Sequence, residues 1–202
     1  TRDGKSIKTW YICDLKVGKN HRGEHLPTAL IKSGAWRILQ CRRGFAVCKD
    51  LPNSQMSKSA KIGTQHSVFS GLLKTTPFNQ YSLNATQVRE NYDKIKEAFP
   101  KGEAGGRKKH LTFLSNDGLN DYQGIDKKTG ERRHLKLLHI VPRPEGQTMP
   151  KEGYDHIISA VKGTPLDTTL QKITDCKPFL TGRYISCGMR GFNFNQITSA
   201  EI

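Results

Sequence analysis

The chain has 202 residues, 35% hydrophobic and 25% charged, which suits one ordinary domain and is too apolar for a wholly disordered chain. No apolar run approaches the roughly 18–20 residues of a bilayer-spanning helix, so that class is excluded. Charge dominates: 33 Lys and Arg against 18 Asp and Glu leave a net +15.

In chain order, Ile7-Lys8-Thr9-Trp10-Tyr11-Ile12-Cys13 is rich in β-branched and aromatic residues and reads as a strand. Residues 27–32 read as a short helix, with Pro27 in its first turn and Gly34 at its end. Residues 36–41 and 45–48 read as two strands of a hairpin whose turn is Arg42-Arg43-Gly44. Residues 49–66 are rich in Ser, Lys, Asn and Gln and read as a loop. A helix is predicted over 85–99, capped by Asn84 or Thr86, with Val88, Tyr92, Ile95 and Phe99 at helical spacing and Pro100 and Gly102 stopping it.

A flexible basic linker follows over 101–109. Residues 110–114 read as a strand, 127–130 as a turn, and 132–141 as one long strand closed by Pro142 and Pro144. Helices are predicted over 155–161 and 166–176, and the tail over 179–197 leans toward strands. This mixed order predicts an α+β fold, a mixed sheet with three or four helices, in a single basic domain over 1–202 with a possible internal boundary near 100–109.

The charge is uneven. Residues 1–80 carry fourteen basic and four acidic side chains, whereas residues 151–202 carry six and five. A single-sign field repels itself, so a lopsided basic half implies a polyanionic partner. DNA or RNA is the leading expectation, because phosphate neutralisation with counterion release dominates such binding. The alternative is a non-catalytic packaging or matrix-type protein on nucleic acid or an anionic membrane surface. The basic residues that would follow phosphates are Lys19, Arg22, Arg37, Arg42, Arg43, Arg107, Lys108, Lys109, Lys127, Lys128, Arg132 and Arg133. Trp36, Tyr11 and Phe45 are the aromatics placed to stack on unpaired bases, although aromatics at such spacings also build cores.

Three residues suggest chemistry. Asp3 and Asp14 on neighbouring strands would hold Mg²⁺, and Lys16, two residues after Asp14, would share its face and stabilise phosphate charge. This spacing looks like the metal-dependent nuclease core written P-D…(D/E)-x-K, with Thr1-Arg2 in place of the proline. A Mg²⁺-dependent nuclease is therefore the catalytic form of the nucleic-acid reading, and without cleavage no cofactor is implied. His21-Arg22-Gly23-Glu24-His25 spells a zinc-binding order, but Gly23 and Pro27 oppose the helix such a site needs. Five cysteines with no C-x-x-C pair leave at least one thiol free, and the start Thr1-Arg2-Asp3-Gly4-Lys5 shows no apolar signal region. A reducing compartment, cytoplasm or nucleus, is the matching expectation.

Overall fold

The structure, a computed structural model, describes residues 8–12, 18–21, 23–34, 36, 40–51, 55–57, 60–61, 64, 70–100, 110–115, 123–125, 129–143, 149–175, 177–197 and 199. Nine strands and four α-helices have bounds among them. They run β1 (Trp10–Ile12), α1 (Leu26–Gly34), β2 (Gly44–Lys49), β3 (Leu73–Leu83), α2 (Ala85–Glu90), α3 (Tyr92–Ala98), β4 (His110–Ser115), β5 (Gln123–Ile125), β6 (Arg132–His134), β7 (Leu137–Arg143), β8 (Asp155–Val161), α4 (Pro165–Ile173) and β9 (Leu180–Cys187). Seven strands form one sheet in the order β1-β2-β9-β3-β8-β7-β4, and β5 with β6 forms a two-stranded sheet. The β1/β2 and β7/β8 pairs are parallel, whereas β2/β9 and β4/β7 are antiparallel. The class is α+β with a mixed sheet and four helices, as composition and element order predict.

The chain divides into two compact units, Thr1–Phe78 with Leu180–Asn193, and Asn79–Phe179 with Phe194–Ile202. In the first unit, Trp10, Gly44 and Cys187 share one register row, Tyr11, Phe45 and Ser186 the next, and Ile12, Ala46 and Ile185 the third. Successive rows point to opposite faces. Phe78 and Tyr184 pack with ring centroids 4.6 Å apart, and both are almost fully buried. Gly182 lies so close beneath the Phe78 ring that a side chain there would overlap it. Arg183 Nε donates to Asp50 Oδ1 at 3.0 Å, a pair whose carboxylate is nearly buried.

The second unit holds the main core. Leu111 and Phe113 on β4, Leu138 and Ile140 on β7, and Ile158 and Ala160 on β8 share one sheet face. Val88, Ile95 and Phe99 from the α2–α3 segment and Leu166 and Leu170 of α4 close over that face. Each such side chain contributes about 1.5–3 kcal/mol when fully buried. The opposite face, with His139, Ile157 and Ser159 buried on it, receives the segment that follows Phe194. There Val161 N donates to Asn195 Oδ1 at 2.7 Å, and Ser199 Oγ donates to the Ile157 carbonyl at 2.9 Å.

Four element readings change. Residues 155–161 are the strand β8, not a helix. All five central residues, His156 to Ala160, are buried, so the segment is covered on both faces and carries neither helical nor alternating polarity. The expected hairpin over 36–48 does not form, because β2 pairs with β1 and β9, and Gln40 and Cys41 lie outside any strand.

The expected long strand over 132–141 is two strands in two sheets, β6 with β5 and β7 with β4 and β8. Pro142 lies inside β7, where only β4 is paired with it; the β8 pairing covers Leu137 to His139. The helix over 85–99 is broken at Asn91, whose backbone (φ −115°, ψ 15°) leaves the helical region and whose Nδ2 donates to the Gln87 carbonyl at 3.0 Å.

Its start is as predicted. Asn84 Oδ1 accepts from Gln87 N at 2.8 Å while Gln87 Oε1 accepts from Asn84 N at 3.0 Å, a reciprocal capping box. Pro100 stops the segment by holding Phe99 extended at ψ 137°.

Candidate nucleic-acid interface

The predicted phosphate contacts that can be followed best are Arg42 and Arg43, which lead into β2. Trp10 fixes their backbone. Its Nε1 donates to the Cys41 carbonyl at 3.0 Å, its backbone N donates to the Arg43 carbonyl at 3.1 Å, and its indole covers Gly44 so closely that a Cβ there would overlap the ring. Gly188, with φ +64°, comes against the same loop, where a Cβ would overlap the Arg42 carbonyl oxygen. Cys41 Sγ donates to the Lys8 carbonyl at 2.8 Å. The main chain is thus held while the side chains of Lys8, Arg42 and Arg43 stay exposed, together with Arg190 two residues beyond Gly188. Neither Arg42 nor Arg43 meets a carboxylate among the described residues.

Beside this cluster, Tyr11 and Phe45 are register partners with rings stacked at 4.8 Å and an interplanar angle of 25°. Tyr11 is 40% exposed. Among the described strands β1 ends the order, which puts this aromatic pair at the rim of the described sheet.

Of the other predicted residues, three are described. Lys19 opens the 3₁₀ turn Lys19–His21 in the first unit. Arg132 and Arg133 lie on β6, in the second unit, paired with Ile125 and Gly124. Arg22, Arg37, Arg107, Lys108, Lys109, Lys127 and Lys128 lie outside the described residues, as do Asp3, Asp14 and Lys16 of the nuclease reading. Sequence reasoning omitted Lys8 and Arg190. Lys8 was visible within the first predicted strand, but Arg190 joins the basic unit only through the return of the chain after residue 179.

His21 and His25 do not share a helix. Gly23 at φ +98° and His25 at φ +55° break the backbone before α1, and His21 Nδ1 faces Glu24 Oε2 at 3.2 Å. Among the described residues, no group of three or more His, Cys, Asp or Glu is arranged to hold a metal. No described helix is long and apolar enough to cross a membrane. Cys41, Cys48 and Cys187 are free thiols, and burial, followed by Asp50, raises the Cys48 pKa.

The titratable groups buried in the second unit are held inside it. Asp167 accepts from Tyr81 OH (2.6 Å), Gly163 N (2.8 Å), Asn79 Nδ2 (2.9 Å) and Gln171 Nε2 (3.0 Å). Burial first, and the bond to Asp167 second, push the Tyr81 phenol up to about 12, so it remains a donor. Ser199 gives its proton to Ile157, so His139 Nδ1 is the donor of the 2.8 Å bond to Ser199 Oγ. Burial lowers the His139 pKa to about 4. Burial also lowers that of His156, which accepts from Lys151 N at 3.3 Å and meets the Phe113 ring edge-on at 5.3 Å. Both imidazoles are sealed from solvent and lie on opposite faces of the sheet, so they present no acid–base pair to a substrate.

No protein-family model matches this chain, and no curated protein or solved structure shows detectable similarity to it.

Proposed function

We propose that the chain binds nucleic acid through its first unit, with Lys8, Arg42, Arg43 and Arg190 meeting phosphates. One observation carries this reading. The first unit holds sixteen Lys and Arg against four Asp and Glu, a net +12, whereas the second holds seventeen against fourteen, a net +3. Self-repulsion of that size is relieved by a polyanion whose condensed counterions are released on binding. Arg side chains on a fixed backbone suit phosphate, because the guanidinium fork loses little freedom on pairing.

Titration of labelled DNA and RNA oligonucleotides across a range of salt concentrations tests it. The expected result is affinity falling linearly on a log–log scale, with a slope of about −0.9 per neutralised phosphate on duplex DNA and about −0.7 on single strands. A flat salt response, or binding to anionic vesicles but not to oligonucleotides, overturns it. The nuclease form adds Mg²⁺ held by Asp3 and Asp14 beside Lys16. It expects Mg²⁺-dependent cleavage that Asp14→Asn abolishes while binding persists; intact plasmid, single-stranded DNA and RNA in Mg²⁺ and Mn²⁺ would remove it.

A further inference from the structure

We infer that the site selects single-stranded nucleic acid, with an unpaired base stacking on the Tyr11–Phe45 pair. This rests on the phosphate-binding reading above. Two aromatic pairs in the first unit show the reason. Phe78 and Tyr184, 4.6 Å apart, are each 1% exposed, as a packing role requires. Tyr11 and Phe45 stack at a similar 4.8 Å, yet Tyr11 keeps 40% of its surface exposed on the end strand of the described sheet.

The platform is also built in advance. Trp10 precedes Tyr11 and binds the carbonyls of Cys41 and Arg43, so the arginine loop and the aromatic pair are held by one clamp. Arg43, two residues before Phe45, immediately precedes β2, and the exposed Lys8 lies two residues before β1, so a cation stands just ahead of each strand that carries one of the rings. In a duplex the base faces are already stacked, and an aromatic ring at the sheet rim reaches only backbone or groove edges. A single strand offers both a base face for Tyr11 and phosphates for the neighbouring cations, which is the pairing of contacts that single-strand grooves use.

Fluorescence anisotropy of the full chain at fixed low salt tests this with four probes of matched length: oligo-dT, oligo-U, a hairpin duplex, and an abasic strand carrying the same phosphates without bases. The expected result is that at least one base-bearing strand binds roughly ten-fold or more tighter than both the abasic strand and the duplex. Tyr11→Ala should remove that advantage, Tyr11→Phe should keep it, and the salt slope of all three proteins should match. An abasic strand bound as tightly as oligo-dT and oligo-U, or a duplex bound tighter than both, overturns the stacking inference while leaving the charge reading intact. Neither comparison requires a variant to fold. Failure of all four probes to bind would instead overturn the phosphate reading itself.

Discussion

The two units solve different physical problems with the same chain. The second is a burial machine: helices close one sheet face, the segment after Phe194 closes the other, and buried polar side chains are bonded inside it, Asp167 to Tyr81 and His139 to Ser199. The first keeps its surface open. Among the described residues, Tyr11, Ile12, Leu26, Leu30, Trp36, Leu51 and Leu72 are exposed there, and Met149 and Phe179 in the second unit. In the first unit, then, exposed apolar side chains accompany a net +12, whereas the main buried cluster lies in the near-neutral second unit. The lesson is that +15 over the whole chain understates how polarised the molecule is.

The sharpest way to break this division is Asp167→Ala. Four donors would lose their acceptor in a buried site, so the second unit should lose roughly 3 kcal/mol or more, read from a urea denaturation midpoint. Oligonucleotide affinity, measured where the variant remains folded, should stay unchanged; a matching loss of affinity would show that the functions are not divided.

Acid should act on the same unit. The folded His139 pKa of about 4 lies below the ordinary histidine value, so the unfolded chain takes up the proton first. Stability contributed by neutral His139 is complete above about pH 6.5 and is lost as pH falls toward 4, by at most about 3 kcal/mol, and His156 shifts in the same direction. His139→Gln should flatten that pH dependence in denaturation curves.

Gly44→Ala addresses the first unit instead. Its Cβ meets the Trp10 indole, at a cost of roughly 1–3 kcal/mol, and should weaken oligonucleotide binding by loosening the arginine loop. Wild-type affinity in this variant would mean that the loop needs no clamp. The smallest effect is expected from Arg42→Ala or Arg43→Ala alone: unchanged folding, similar weakening on all base sequences, and a salt slope shallower by about 0.7–0.9 per lost contact. Weakening confined to one base sequence would show base readout in place of phosphate contact.

Local signals made part of this fold legible. Asn84 marks a helix start and Pro100 marks a stop, because each acts within a few residues of itself, whereas the Thr164 cap and Pro165 at the start of α4 were read only as a link between two helices. β8 was not legible. A seven-residue segment buried on both faces has the same apolar pattern in a strand as in a buried helix, and only its neighbours decide. The arginine loop had the right composition and the wrong partner. Arg42-Arg43-Gly44 resembles a hairpin turn, yet β2 takes its antiparallel neighbour from β9, far along the chain. Of the candidate interface, Arg42, Arg43, Tyr11 and Phe45 could be named from residue type alone. Their pinning by Trp10 and the addition of Arg190 depend on distant contacts that spacing does not encode.

That distant pairing has a consequence during synthesis. Asp50 and Arg183 are 133 positions apart, and the first unit resumes only at Leu180, after the whole of residues 79–179. The second unit in turn closes with Asn195 and Ser199, after the first has been completed by β9. Neither unit is therefore a contiguous stretch that can finish while the ribosome is still making the other. Until β9 emerges, β2 lacks its antiparallel neighbour, so the nascent chain carries an unpaired strand edge and a strongly cationic surface at once. Topology of this kind delays folding, because distant closure must precede the contacts that reward it. A nascent chain stopped before Leu180 would leave both units incomplete, and charge repulsion along its first 80 residues would help to hold it apart from its copies until the closing strand arrives.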